Sequence, residues 1–317
     1  MKYLFRILIT LMLPLTLYSF HDYEKEEHSQ ENTSIVNKML NSTETYLKYT
    51  YDKLNQYSKV LDETLTDEKS SYKYENSSIH IETYYNNTQT KGNTSGVTFN
   101  VKVRLPQLKE KLKLVIENDD NKIGKEYEDN NESVPYKDDK SSLALEYDKY
   151  KKYYNLRTKA GVKLNSFVFI NSSVSKEFDL TNSWNFVAQE KIELNNKNNF
   201  ENSTTLSLKK HINNQLRFIN TNQYYWNKKA SDNNIYNSLR LTHILSSKNT
   251  LNYVTSISSN DNQTNFKTKN YDAYISYKHY IRKWLYYDIV PSLYGEREDN
   301  FKMRYAFKFR LGIVIGK

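Results

Sequence analysis

The last strand of this chain limits its fold more than any other segment. From Tyr305 to Ile315 every odd position is apolar or aromatic, and the intervening positions include Arg304, Lys308 and Arg310. Because successive side chains of a strand point to opposite faces, one face of this segment is apolar and the other is cationic. The pattern is typical of a strand that crosses a membrane with lipid on one side and a polar barrel interior on the other.

Residues 1–19 have the three parts of a cleavable export signal. Lys2 and Arg6 form the positive start, residues 7–17 form a short apolar run, and Ser19 is a small residue suited to cleavage. No later segment approaches the roughly 20 apolar residues that a spanning helix needs. Export and the strand pattern together predict a location in the outer membrane of a Gram-negative bacterium.

Composition narrows the chemistry that is open to the chain. None of its 317 residues is Cys, which excludes disulfides, thiol catalysis and Cys-based metal sites. The formal net charge is +9, but the basic residues alternate with apolar ones and form no surface stripe. We therefore expect no nucleic acid as a partner. No H-x-x-x-H spacing occurs, and we expect neither a metal site nor a cofactor.

The chain divides into a signal peptide, a linker, a helix and a barrel. We predict these parts over residues 1–19, 20–32, 33–66 and 77–317. Thr33 or Ser34 is suited to cap the helix, which we place in the periplasm. Four leucines recur every seven residues within it and suggest a coiled-coil seam: Leu40, Leu47, Leu54 and Leu61. The companion seam is partly polar, so self-association, docking of a periplasmic partner and a lone amphipathic helix all stay open.

From about residue 78 onward the pattern changes to strands and turns. About 14 period-two segments follow one another, and Pro106 ends the second because proline cannot donate a ladder hydrogen bond. Consecutive strands should pair as antiparallel hairpins, and closure would leave no open edge in lipid. We predict an all-β fold, an antiparallel transmembrane β-barrel of 12–14 strands after a short periplasmic α-helix. The lower count applies if the first pair lies outside the barrel.

Two stretches near the C-terminus carry a family resemblance. Residues 283–291 (Lys-Trp-Leu-Tyr-Tyr-Asp-Ile-Val-Pro) and 297–301 (Arg-Glu-Asp-Asn-Phe) precede the alternating last strand. With the turn at 103–106 and the segment 112–117, they resemble a family of uncharacterised proteobacterial outer-membrane β-barrels. The resemblance covers about the last two-thirds of the chain. It implies a barrel surrounded by outer-membrane lipid and inserted by the barrel-insertion machinery, and it supplies no catalytic residue.

The side chains expected inside the barrel are mainly basic. The predicted lumen-facing set is Lys102, Arg104, Lys191, Arg217, Arg240, Lys278, Arg304, Lys308 and Arg310. The acids predicted on the same face are Glu82, Glu193, Asp272 and Asp288. A basic interior concentrates anions, so we predict a passive channel or binding barrel for small anionic solutes. The alternative is a structural or assembly barrel in which these charges pair and fill a narrow interior.

Aromatic residues and one carboxylate stand out on the face expected to meet lipid. Aromatic girdles are predicted near the strand ends, with a sugar-binding track as the alternative: Trp184, Trp226, Trp284, Tyr224, Tyr225, Tyr286 and Tyr287. Glu190 interrupts an otherwise apolar face, where a carboxylate in lipid is costly. We interpret it as a slip of register, with a contact between protomers as the alternative.

A membrane-embedded lipid hydrolase is the hypothesis from another functional class. The six histidines are scattered and no G-x-S-x-G motif occurs. His243 and His279 fall on outward positions, with Ser276 and Asn237 nearby, which allows a nucleophile and a base to meet at the lipid surface. We nevertheless predict that the chain is not an enzyme and has no catalytic residue.

Overall fold

The structure, a computed structural model, describes most of the chain after the predicted signal. The described residues are 29–66, 69, 74, 77–90, 92–108, 112–118, 141–151, 153–163, 167–196, 199–228, 232–261 and 265–316. The predicted signal peptide, the predicted linker up to residue 28 and the whole polar segment at 119–140 lie outside them. Within the described residues, no helix combines the length and the apolar character needed to cross a membrane.

One α-helix precedes a long series of strands. The helix α1 spans Ser29–Thr66, so it begins inside the range that we predicted as linker. The strands that follow in the described residues are β1 (Ser78–Thr88), β2 (Gly92–Arg104), β3 (Leu112–Glu117), β4 (Ser142–Lys151), β5 (Tyr154–Lys163), β6 (Phe167–Asp179), β7 (Trp184–Asn195), β8 (Asn199–His211), β9 (Leu216–Asn227), β10 (Asp232–Ile244), β11 (Asn249–Asp261), β12 (Phe266–Arg282), β13 (Leu285–Glu296) and β14 (Arg304–Ile315). A short 3-10 helix, Arg297–Asp299, lies between the last two.

The strands close into one antiparallel barrel. Each strand pairs with its neighbours in the chain, and β1 also pairs with β14 from Ile79↔Ile315 to Thr88↔Ala306. The predicted fold class is therefore confirmed: the described residues form an all-β, closed antiparallel barrel of fourteen strands with one helix before the first strand. The alternative of 12 strands is wrong, because the first pair of strands forms part of the ring.

Polar side chains shape three of the tight turns at one end of the barrel. Asn213 accepts hydrogen bonds from the backbone N–H of Gln215 and of Leu216, both at 2.8 Å. Thr181 and Ser246 accept the corresponding bonds before β7 and β11. These side chains replace the partners that the turn backbone lacks, which is why Asn, Ser and Thr interrupt the alternating segments at these points.

The chain forms two compact units, residues 1–57 and 58–317. In the first unit, Leu47 and Leu54 of the predicted seam are buried, at 9% and 6% exposure. Self-association through this helix stays a prediction, because a single chain does not test it.

In the second unit, the end of α1 is fixed to the turn between β2 and β3. Ser58 donates to the carbonyl oxygen of Arg104. The fully buried carboxylate of Asp62 accepts hydrogen bonds from the backbone N–H of Gln107 (2.6 Å) and of Leu108 (2.8 Å), and from the Tyr74 hydroxyl (3.0 Å). This turn lies at the end of the barrel where β1 begins and β14 ends.

Candidate functional site

The pairing register divides the strand residues into an outer and an inner face. Residues paired across neighbouring strands share a face, so the register follows each face around the closed ring. Outer residues such as Leu145 and Phe307 are 43% and 42% exposed, whereas the inner residues Glu146, Asp288 and Arg310 are at most 1% exposed. Apolar groups thus point outward and charged groups inward, the reverse of a water-soluble barrel.

The register places all nine residues of the predicted basic set on the inner face, in β2, β7, β9, β10, β12 and β14. They are Lys102, Arg104, Lys191, Arg217, Arg240, Lys278, Arg304, Lys308 and Arg310. Arg240, Lys278 and Arg310 are buried and Arg217 is exposed. They are distributed around the ring and form no single cluster. Their role in solute passage stays a prediction.

A network of opposite charges covers the inner face of β3, β4 and β5. The Lys159 ammonium lies 3.1 Å from a Glu117 oxygen and 3.2 Å from a Glu146 oxygen. Asp148 accepts a hydrogen bond from Arg157 at 2.9 Å and a second from Lys113. Because every carboxylate of this network has a cation beside it, the charges largely cancel in this part of the interior.

A second charged cluster lies across β1, β12, β13 and β14. Asp288, fully buried, accepts hydrogen bonds from Arg310 and, at 2.8 Å, from the hydroxyl of Ser276. Beside it the Tyr286 hydroxyl donates to Glu82 at 2.7 Å, and the Lys278 ammonium lies 4.4 Å from the centre of the Tyr286 ring. This cluster combines ion pairs with aromatic surface.

Short uncharged polar side chains lie near mid-strand on the inner face of β8 to β11, between these clusters. Gln223 donates to the Ser203 hydroxyl at 2.7 Å, and the Ser207 hydroxyl lies 3.3 Å from that of Thr221. Ser207 is fully buried, like Asp288 on the other side of the ring. In this conformation, therefore, the interior is narrow and polar at the level of these side chains.

The network on β3 to β5 contains charged residues that the sequence analysis did not assign to the interior: Glu117, Glu146, Asp148, Lys113, Arg157 and Lys159. The signal was present in the sequence, because Leu143 and Leu145 alternate with Ala144 and Glu146 along β4. The predicted acids Glu193 and Asp272 do lie on the inner face, but acids are more frequent there than predicted.

Two of the predicted girdle residues are on the wrong face. Tyr225 and Tyr286 point inward, where their hydroxyls donate to Glu201 (2.9 Å) and Glu82 (2.7 Å). The reason is parity: each has an adjacent tyrosine, Tyr224 or Tyr287, and two consecutive strand residues cannot share a face. The three tryptophans lie at or near strand ends, with Trp184 beside Lys210 (4.9 Å), Trp226 beside Phe200 (5.5 Å) and Trp284 in the turn before β13.

Glu190 lies on the outer face without any slip of register. β7 pairs with β6 and with β8 in one continuous register, so the predicted slip is wrong. The carboxylate accepts hydrogen bonds from the Thr204 hydroxyl at 2.7 Å and from the Asn202 amide. It has local polar partners on a face that is mainly apolar elsewhere.

The structure does not bring together the residues of the hydrolase hypothesis. Ser276 lies on the inner face, whereas His279 lies on the outer face, with its Nδ1 2.6 Å from the Asn249 side-chain oxygen. A serine and a histidine on opposite faces of one strand cannot exchange a proton. Among the described residues, no group of three or more His, Asp or Glu is placed to hold a metal ion.

Comparison with solved structures finds outer-membrane proteins at low identity. The outer membrane channel DcaP of Acinetobacter baumannii is 6% identical, with a TM-score of 0.44 over 75% of this chain and 96% of that one. The CymD monoaromatic hydrocarbon channel is 7% identical, with a TM-score of 0.47 over 81% and 91%. The NanC porin is 10% identical, with a TM-score of 0.40 over 75% and 99%. Neither a family model nor a curated protein matches the sequence. The fold class therefore rests on the strand pairing of this chain.

Proposed function

We propose that this protein is a passive channel of the bacterial outer membrane for small anionic solutes. The single observation that carries the proposal is the division of side chains between the two faces of a closed ring of strands. Large apolar residues point outward and ionised residues point inward. A barrel of this kind satisfies its backbone hydrogen bonds within the ring and offers a polar path through lipid.

The apolar outer face supports the membrane location. Exposed large apolar side chains occur on strands all around the ring, for example Leu145, Ile170, Leu239, Ile275 and Phe309. An exposed apolar surface of this extent is unfavourable in water and typical of a surface that meets lipid. Most strands contain 10 to 13 residues, which is enough for the roughly 9–11 residues that a tilted strand needs to span a bilayer. The family resemblance of the C-terminal stretches supports the same location and the barrel-insertion machinery as a partner.

The turns and the helix support an orientation. The end of α1, the beginning of β1 and the end of β14 lie at one end of the barrel, together with the tight turns formed by Thr181, Asn213 and Ser246. Outer-membrane barrels have their short turns on the periplasmic side. We therefore assign α1 to the periplasm, where a periplasmic partner or a second copy would meet it.

The preference for anions rests on the nine basic residues that the register places on the inner face. Two of them, Lys278 and Lys308, lie over the rings of Tyr286 and Tyr84, at 4.4 Å and 5.2 Å from the ring centres. An aromatic ring stabilises an ammonium group in its charged form. A narrow interior rich in cations attracts anions and repels cations.

A planar lipid bilayer tests the channel directly. The purified barrel is inserted into the bilayer, and the reversal potential is measured under a gradient of KCl. We expect conductance with a reversal potential of the sign that chloride selectivity produces. Cation selectivity would contradict the anion preference. Absence of conductance from protein that still migrates faster on a gel before heating, as closed barrels do, would contradict the channel itself.

A structural or assembly barrel is the second candidate, because the inner side chains are so fully buried. Ser207, Ser276 and Asp288 have no exposed surface, so the interior is filled at their level. In this case the periplasmic helix would carry the function by docking a partner. Deleting residues 33–65 tests this candidate. An unchanged set of co-purifying proteins and an unchanged oligomer size would remove its support.

A further inference from the structure

The outer face of β7 to β10 carries a group of polar side chains near the middle of the strands. We call it the outer polar patch and define it as Glu190, Asn202, Thr204, Asn220, Asn222 and Asn237. Glu190 pairs with Thr204, and Asn222 pairs with Asn237. Between β8 and β9 the members are diagonal neighbours, because Thr204 pairs with Tyr224 and Asn222 pairs with Leu206. Large apolar residues surround it, including Ile192, Leu206 and Leu239, which are 40–42% exposed.

Hydrogen bonds join the members of the outer polar patch within each of two halves. In one half, Glu190 accepts from Thr204 and from Asn202. In the other, Asn222 donates to the Asn220 side-chain oxygen at 2.8 Å and accepts from Asn237, while Asn220 donates to the carbonyl oxygen of Ser238 at 3.1 Å. The side chains are thus fixed in one arrangement, yet Asn222 remains exposed to the surroundings of the barrel.

Such a patch is costly in contact with hydrocarbon. The amides and the carboxylate of the patch can form more hydrogen bonds than those within it, and acyl chains offer neither donors nor acceptors for them. Lipid headgroups lie at the membrane surfaces and do not reach the middle of a strand. A protein surface with matching polar groups removes the cost, because polar side chains hydrogen-bond across interfaces within membranes.

We propose that the outer polar patch is the interface through which two copies of this chain associate in the membrane, a proposal that rests on the proposed membrane location. Each side-chain amide offers a donor and an acceptor, so a surface of asparagines is complementary to itself. A two-fold contact brings the same surface of both copies together, so the asparagines of one copy meet those of the other.

The absence of Cys from the sequence gives a direct test. Asn222→Cys places one thiol in the patch, and Phe309→Cys places one on the exposed outer face of β14 as the matched control. Intact outer membranes that contain either variant are treated with a short bis-maleimide. We expect a covalent species of twice the monomer mass from Asn222→Cys and only monomer from Phe309→Cys.

Three results would overturn the proposal. They are monomer from both variants, equal dimer from both, or an Asn222→Cys product whose mass is not twice that of the chain. Faster migration on an unheated gel verifies that each variant has folded, and Asn237→Cys replaces Asn222→Cys if the latter does not fold. Fractionation of the wild-type protein is measured separately. Its recovery outside the outer membrane would contradict the membrane location, whereas a membrane protein without the crosslink would contradict only the interface.

Discussion

Two walls of the same barrel divide their side chains in different ways. The first wall, β1 with β12 to β14, exposes large apolar side chains such as Phe307 and Leu311 outside and carries Tyr286, Asp288 and Arg310 inside. The second wall, β7 to β10, carries the outer polar patch outside and short polar side chains such as Ser207 inside. Both walls consist of antiparallel strand pairs, so the direction of pairing does not explain the difference.

The difference indicates that the two walls face different surroundings. The first wall has the outer face that lipid requires, and its large charged and aromatic side chains fill the interior behind it. On the second wall the outer polar patch interrupts the apolar outer face, and this is the feature that the proposed interface would cover. Its inner face carries short side chains such as Thr205 and Ser207, and the interior is filled at their level.

The largest effect is expected from removing the buried carboxylate of the first wall. Asp288→Ala leaves the Arg310 guanidinium buried without its Asp288 partner, and such changes cost about 3–5 kcal/mol. The matched change on the second wall, Ser207→Ala, loses a single hydroxyl contact to Thr221 and should cost about 0.5–1.5 kcal/mol. The free energy of unfolding in urea, measured with lipid vesicles, compares the two. Similar losses would show that the first wall does not depend on its charged cluster.

A charge placed on the outer face should also lower the free energy of unfolding more on the first wall than on the second. We expect this difference to be somewhat smaller than that between Asp288→Ala and Ser207→Ala. Phe309→Lys puts an ammonium on the lipid face of the first wall, which costs about 2–4 kcal/mol near the bilayer centre. Asn222→Lys puts the same group into the outer polar patch, where the amides of Asn220 and Asn237 solvate it, and it should cost less. Unfolding in vesicles at a low protein-to-lipid ratio measures both. An equal or larger loss for Asn222→Lys would remove the distinction between the two outer faces.

Much of the fold follows from the sequence because a barrel strand shows its two environments at period two. The segment that became β14 alone predicts which side chains point outward, and Pro106 marks the end of the second strand correctly. The start of α1 was predicted too late, since residues 29–32 are polar but contain no residue that prevents a helix from extending. The strand count became certain only with the pairing of β1 and β14.

The candidate site was less predictable, because parity tells which face a residue occupies and not which residues it meets. Asp148 and Arg157 meet through a local hairpin, whereas Lys113 and Asp148 are 35 residues apart in the chain. The register between β3 and β4 fixes that contact. The same holds for Glu190 on the outer face. The alternation of β7 predicts that this residue points outward, but it does not predict its hydrogen-bond partners on β8.

A glycine on the first wall gives a third test, in which we expect a smaller loss in the free energy of unfolding. Gly312 pairs with Tyr286, whose ring lies flat over it, and a methyl group at this position would overlap the ring. Gly312→Ala should therefore displace Tyr286, weaken its 2.7 Å hydrogen bond to Glu82, and cost about 1–3 kcal/mol. In a Tyr286→Leu background the same change should cost little. A loss of equal size in both backgrounds, measured by unfolding, would mean that the ring is not the cause.

The smallest effect is expected on ion selectivity. Substitutions on the inner faces of the two walls are compared by their reversal potential and conductance. Lys278→Gln combined with Lys308→Gln removes two cations that rest on tyrosine rings of the first wall. The reversal potential under a KCl gradient should move toward zero, because fewer fixed positive charges remain to attract chloride.

Thr205→Gln on the second wall changes the size of a side chain without changing charge. It should lower the conductance and leave the reversal potential unchanged, since a longer neutral group narrows the path but does not select by charge. A reversal potential that follows the threonine substitution and ignores the lysines would assign selectivity to size and refute the electrostatic account.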